Sequence, residues 1–127
     1  IGDSRIFIYK NNELQQLTYD HTLVNELIRE NKIKKEDAFN HPKNHILTQA
    51  LGLEDDLNIN TGSLELNEED LIIFCTDGLT DMITFDDIEA IIEEYFNNID
   101  KITNKLGENA LKNGGKDDLT IIVGIIN

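Results

Sequence analysis

The stretch 71–81, Leu-Ile-Ile-Phe-Cys-Thr-Asp-Gly-Leu-Thr-Asp, constrains this chain more than any other. Residues 71–75 are apolar and β-rich with no polar alternation, the pattern of a strand covered on both faces. The run stops at Asp77-Gly78, a turn dipeptide. A carboxylate therefore stands at the mouth of a buried strand, where the backbone is rigid and the glycine leaves room beside it. Such a position suits a hard divalent cation, which takes oxygen ligands. An Asp-Gly on its own, however, most often does no more than end a strand.

A second acidic turn strengthens the first. Asn113-Gly114-Gly115-Lys116-Asp117-Asp118 runs straight into another apolar strand over 119–126. One carboxylate thus marks a strand's end and the other a strand's start. Two neighbouring antiparallel strands would bring those ends together.

Between and around these turns the pattern alternates strands with amphipathic helices. A hairpin is predicted over 5–18, with Asn11-Asn12-Glu13 as its tight turn. Thr22 is a plausible N-cap for a helix in which Leu23, Val24, Leu27 and Ile28 share the apolar face, ending near 31–32. A short helical turn follows over 33–39, then a loop around His41-Pro42, the chain's one proline. His41 and His45 have the spacing of a metal pair on a helix, but Pro42 spoils the helix, which favours structural or surface histidines over metal ligands. The residues from 53 to 60 read as an acidic connection, and 59–66 has an imperfect period of two, read as a strand with one poor end. Asn67-Glu68-Glu69-Asp70 reads as a solvated hairpin tip and not a metal cluster. Residues 79–82 should begin a short helix. Thr84 and Asp87 form a capping box ahead of Ile88, Ile91, Ile92, Tyr95 and Phe96 at helical spacing. A second helix carries Ile99, Ile102, Leu106, Ala110 and Leu111 and ends at Asn113-Gly114. The fold class that follows is α+β, with largely antiparallel strands and helices on one face.

At 127 residues the chain is one domain at most. Its formal net charge of -14, from 25 acidic and 11 basic residues, argues against nucleic acid or an anionic membrane surface, where basic patches carry the affinity. No stretch approaches the roughly 20 apolar residues of a transmembrane helix. Cys75 is the one cysteine, so no intrachain disulfide is possible, and inside an apolar strand it reads as a small buried hydrophobe.

Taken in order, five segments resemble the C-terminal half of the metal-dependent type 2C (PPM) Ser/Thr protein phosphatases in their compact bacterial form. They are Gly2-Asp3-Ser4-Arg5; Leu17-Thr18-Tyr19-Asp20-His21-Thr22-Leu23-Val24; His41-Pro42 with Ile46-Leu47-Thr48-Gln49-Ala50-Leu51-Gly52; Cys75-Thr76-Asp77-Gly78-Leu79-Thr80-Asp81; and Gly114-Gly115-Lys116-Asp117-Asp118-Leu119-Thr120. The resemblance covers essentially the whole chain. Each motif is short, and their order and spacing carry the specificity.

The resemblance implies a PPM-phosphatase-like β-sandwich flanked by helices, with residues 1–127 as the C-terminal part of a single domain and 20–51 as a flap beside the active site. The N-terminal half, with its Asp-Gly-x-Gly-Gly turn and phosphate-gripping arginine, would be absent, so Arg5 does not take that arginine's role. Mg2+ or Mn2+ is implied, two or three ions in the full domain, with Asp77 and Asp117 as ligands of one ion and Asp3 of a further, weaker one. Gly78, Asp81 and Asp118 would shape the turns or support the ligands. The implied reaction is hydrolysis of phosphoserine and phosphothreonine on proteins by a metal-activated water, with no catalytic residue beyond the metal ligands and no Ser or Cys nucleophile. Phosphorylated proteins, including a Ser/Thr kinase, would be the partners and the cytoplasm the location. The fragment alone is expected to be inactive and to pair, if at all, through exposed sheet edges. The alternatives are a non-catalytic PPM-like pseudophosphatase, an acidic interaction module, or a sporulation or stress regulator of the same fold, whose motifs near the last ligand match less well. One departure is Asp118, where the family often has Asn, an extra negative charge beside the site.

Overall fold

The computed structural model describes residues 1–52 and 55–127, so the first two residues of the acidic connection read from 53 lie outside the described residues. Two compact units divide the chain. The first comprises Ile1–Ser4 and Tyr19–Gly62, the second Arg5–Thr18 and Ser63–Asn127.

The second unit is built on a four-stranded antiparallel sheet. Its strands are β1 (Arg5–Lys10), β2 (Glu13–Gln16), β3 (Leu71–Cys75) and β4 (Ile121–Ile125), in the spatial order β2-β1-β3-β4. Asn11 and Asn12 take left-handed φ values of 55° and 61°, the backbone of a two-residue hairpin turn matched to strand twist. That turn fixes the register Lys10↔Glu13 through Phe7↔Gln16. β3, the uninterrupted apolar run, is one of the two inner strands, pairing with β1 from Arg5↔Cys75 to Tyr9↔Leu71 and with β4 from Leu71↔Ile125 to Cys75↔Ile121. It is not covered on both faces as its sequence suggests, since Phe74 is 40% exposed on the face turned from the helices.

Alternation across the pleat decides which residues enter the core. Phe7, Tyr9, Leu71, Ile73 and Cys75 join one buried cluster with residues of the helices, and Ile121 and Val123 of β4 pack against it. Two long helices supply the other side. α3 (Phe85–Tyr95) starts at the capping box: the Thr84 hydroxyl accepts from Asp87 N–H, and the Asp87 carboxylate accepts from Thr84 N–H. α4 (Ile99–Lys112) is capped by Asn98, whose side chain accepts from Lys101 N–H. Ile88 and Ile92 on α3 and Ile102 and Leu106 on α4 are fully buried, each stabilising the fold by about 1.5–3 kcal/mol through removal of apolar area from water. Tyr9 lies against Phe96 with ring centroids 5.5 Å apart, tilted in a favourable aromatic geometry. The backbone N–H of Leu14 on edge strand β2 donates to the Glu89 carboxylate at 2.8 Å, joining sheet to helix by a polar contact as well.

Two expectations are corrected here. Residues 59–66 form no strand: the segment has no ladder partner among the described residues, and Ile59 and Leu64 are exposed at 60% and 48%. A period of two makes a strand only where a neighbour supplies hydrogen bonds and a face to bury. Asp70 is no solvated tip either. It is 6% exposed, accepts from Asn67 N–H at 2.7 Å and pairs with Lys10 at 3.0 Å. These contacts hold its carboxyl below the usual carboxylate range, the backbone hydrogen bond from Asn67 being the largest cause.

In the first unit, α1 (Leu23–Arg29) begins at Thr22, whose side chain accepts from Asn25 N–H as the sequence predicts. A 3-10 turn over Lys35–Asp37 takes the place of the short helical segment. A single bridge, Thr22↔Leu47, closes the intervening chain back on the helix start. Among the described residues, no helix is long and apolar enough to cross a membrane.

Candidate metal centre

The two acidic turns meet because β3 and β4 are antiparallel neighbours. Cys75, the last residue of β3, pairs with Ile121, the first of β4. One step beyond that pair, Thr76 N–H donates to the Thr120 carbonyl at 3.1 Å, and the ladder then passes to a side chain. The Thr76 hydroxyl accepts from Thr120 N–H at 3.0 Å and donates to the Asp118 carbonyl at 3.1 Å. The turn holding Asp117 and Asp118 is therefore fastened directly to the residue before Asp77.

Asp77 opens α2 (Asp77–Thr80), a single helical turn capped backward by Asp81 N–H on the Asp77 carbonyl at 2.8 Å. Gly78 is buried within it. A methyl group built on Gly78 would lie 2.9 Å from the Asp118 carbonyl carbon and 3.3 Å from the Asp117 oxygen, and would overlap the Asp118 oxygen outright. The glycine is thus the place where two backbones touch, and no side chain fits between them.

The second turn is set by the end of α4. Asn113 sends its amide to the Met82 carbonyl at 2.8 Å, tying the helix end to the segment after α2. Gly115 turns the chain with φ 52° while its N–H still reaches the Ala110 carbonyl. Asp117 follows, exposed, with one carboxylate oxygen accepting from Asp118 N–H at 2.7 Å.

These residues fit part of a hard-cation site. The donors are carboxylate and carbonyl oxygens, the type that Mg2+ and Mn2+ prefer. Their number falls short of a full set: among the described residues, no group of three or more His, Cys, Asp or Glu side chains gathers closely enough to hold a metal. Asp3 belongs to the first unit, where it is partly buried. Asp81 is exposed at the end of α2, and Asp118 contributes its backbone to the turn. His41 accepts from Lys43 N–H at 3.1 Å in its loop, a structural contact.

Three polar residues that stand inside the motifs were given no role by the sequence reading. Thr76 is one. Thr80 is another: buried to 4% exposure, its hydroxyl has no hydrogen-bond partner among the described residues. His21 is the third. Its backbone N–H donates to Gly2 O at 2.9 Å, its Nδ1 accepts from Gly2 N–H at 3.2 Å, and its Nε2 lies 2.9 Å from the Asn60 amide nitrogen. This ring forms one wall of a cleft of about 530 Å3 in the first unit, lined also by Tyr19, Asp20, Asn25 and Arg29. No spacing rule singles out Thr76 or His21, because each is defined by partners distant in sequence, and the burial of Thr80 is likewise a product of the folded packing.

Comparison with known proteins agrees with this geometry. The family described as Stage II sporulation protein E (SpoIIE) matches residues 31–124. The "Serine/threonine phosphatase stp" of Listeria welshimeri is 37% identical over 97% of this chain and 48% of its own length. The "Protein phosphatase PhpP" of Streptococcus pneumoniae is 37% identical over 100% of the chain and 51% of its own length. Among solved structures, the Mycobacterium tuberculosis phosphatase PstP/Ppp superposes with a TM-score of 0.89 at 31% identity, over 97% of this chain and 51% of that one. The catalytic domain of PstP in complex with 2 manganese ions superposes with a TM-score of 0.83 at 29% identity, over 97% and 50%. The chain spans about half the length of the curated relatives it matches. With the family match over 31–124, the order of its motifs and its antiparallel sheet beneath two helices, the chain belongs to the SpoIIE/PPM-type phosphatase family.

Proposed function

We propose that the complete protein carrying this chain is a divalent-cation-dependent phosphatase acting on phosphoserine and phosphothreonine in proteins. The observation that supports this reading is the fastening of the Asp117–Asp118 turn onto Thr76 and Gly78, which brings together the turns that carry Asp77 and Asp117. Asp77 and Asp117 are the ligands of one ion, Asp3 a ligand of a further one, and Mg2+ or Mn2+ the ions. Bound divalent cations supply an activated water and neutralise phosphate oxygens, which answers the extreme slowness of uncatalysed phosphate-monoester hydrolysis.

The chain's own residues provide placement. The Asp118 N–H holds one oxygen of Asp117 and so restrains the carboxylate. Gly78 permits the two turns to close, and Asp81 secures the helical turn that starts with Asp77. The ligands unite residues well separated in sequence on rigid strand ends, as precise sites require. The names of the relatives, Ser/Thr and protein phosphatases, support phosphoproteins as substrates. We extend this to a Ser/Thr kinase among them and to a cytoplasmic location.

The test is Mn2+-dependent hydrolysis of a phosphothreonine peptide by the complete protein and by its Asp117→Asn variant. Loss of one charged ligand is expected to weaken Mn2+ binding and cut turnover by about 100-fold or more, in line with the cost of removing one charge-stabilising group from an active site. An Asp117→Asn protein with unchanged activity and Mn2+ requirement would refute the ligand assignment.

A further inference from the structure

We infer that Thr76 is a positioning residue, one whose hydroxyl sets the geometry of both carboxylate-bearing turns without itself touching the cation or substrate. The inference rests on the metal-ligand reading of Asp77 and Asp117.

The argument begins with where the β3–β4 ladder ends. Backbone pairing runs to Cys75↔Ile121 and to the Thr76 N–H on Thr120 O, at 3.1 Å. Beyond that point the strands must part, because α2 turns away at Asp77. A side-chain hydroxyl then does what the next backbone pair would have done. It accepts from Thr120 N–H at 3.0 Å and donates to Asp118 O at 3.1 Å, so its single proton and an acceptor site are both committed.

The consequence for Asp117 follows from connectivity. The Asp118 carbonyl is held by Thr76, and the Asp118 N–H donates to Asp117 Oδ1 at 2.7 Å. Both polar groups of residue 118 are thus fixed, one by the opposite turn and one on the carboxylate. Asp77 is covalently the next residue after Thr76. One hydroxyl therefore fixes the spacing of the two turns and the orientation of one carboxylate. Groups that orient ligands in this way typically change metal affinity by 10–100-fold when removed. Valine keeps the β-branched shape and the strand propensity of threonine but offers neither proton nor lone pair.

The experiment uses the complete protein with Thr76→Val, Thr76→Ser and Asp117→Asn, measuring the Mn2+ dissociation constant by titration calorimetry alongside the unfolding midpoint in urea. Thr76→Val is expected to weaken Mn2+ binding about tenfold or more, and Thr76→Ser to restore it to within about threefold. In the Asp117→Asn background, Thr76→Val is expected to add little, because its effect passes through that carboxylate. If Thr76→Val does not fold, Thr76→Cys takes its place under the same criterion, since a thiol is only a weak donor and acceptor. A Thr76→Val protein that loses stability but keeps its Mn2+ affinity overturns the inference, provided Asp117→Asn lowers that affinity. If Asp117→Asn leaves the affinity unchanged, the ligand reading fails and this inference with it.

Discussion

Replacing Gly78 by alanine sets two physical effects against each other, and their magnitudes decide the outcome. Gly78 sits inside α2 with no left-handed backbone demand, so helix propensity alone favours alanine by about 1 kcal/mol. The contact opposes this. The new methyl meets only backbone, the Asp118 carbonyl carbon at 2.9 Å and the Asp117 oxygen at 3.3 Å, with the Asp118 oxygen nearer still. No rotamer change relieves such a clash, so the 117–118 peptide must move. Overpacking of this kind costs about 1–3 kcal/mol. The movement also stretches the 3.1 Å bond from Thr76 to the Asp118 carbonyl, worth about 1 kcal/mol. A net loss of about 2 kcal/mol is expected, accompanied by at least tenfold weaker Mn2+ binding in the complete protein. Urea denaturation and a Mn2+ titration read the two quantities separately. An alanine variant as stable as the parent, or more so, with unchanged Mn2+ affinity would refute the close approach of these backbones.

Other sites give independent checks. Thr80→Val removes a buried hydroxyl that has no partner among the described residues and keeps the shape of the side chain, so stability should be unchanged or rise by about 1 kcal/mol; a clear loss in urea denaturation would reveal a hydrogen bond to that oxygen. Asp70 titrates lower in the folded protein than in the unfolded chain, so its stabilisation is present above the ordinary carboxylate value of about 3.9 and is lost as pH falls through the lower folded value. Asp70→Asn should therefore be less stable at neutral pH and show a shallower decline of stability below about pH 4; an acid profile parallel to the parent's would count against the Lys10 and Asn67 contacts.

Where sequence patterns are local, they located the fold well. The capping box at Thr84, the apolar stripe of α3 and the N-cap Thr22 depend on residues a few positions apart, and each lies where the spacing places it. The junctions at Asp77 and Asp117 were legible for a similar reason, since glycine turns at the ends of apolar runs announce themselves. What the sequence concealed is long-range pairing. Nothing in Thr76 announces a bond to residues 118 and 120, and the acidic neighbours of Asp70 disguise a carboxylate held by Lys10. The period of two over 59–66 misled for the converse reason. Alternation is a property of the segment alone, whereas a strand is a property of a pair.

The juxtaposition of the two turns also bears on how such a protein reaches its folded state. Asp77 and Asp117 are forty residues apart in sequence, and most of the segment between them is the α3–α4 helical hairpin. Helical contacts of short range form quickly and draw the ends of a long loop together, which lessens the entropy lost when β4 docks on β3. The two acidic turns do not meet until that docking is complete. A cation held by both turns would recognise the folded chain and not the unfolded one, so each tenfold excess of free ion over its dissociation constant adds about 1.4 kcal/mol to stability. Unfolding midpoints that climb with Mn2+ concentration would then report the closing of the last strand.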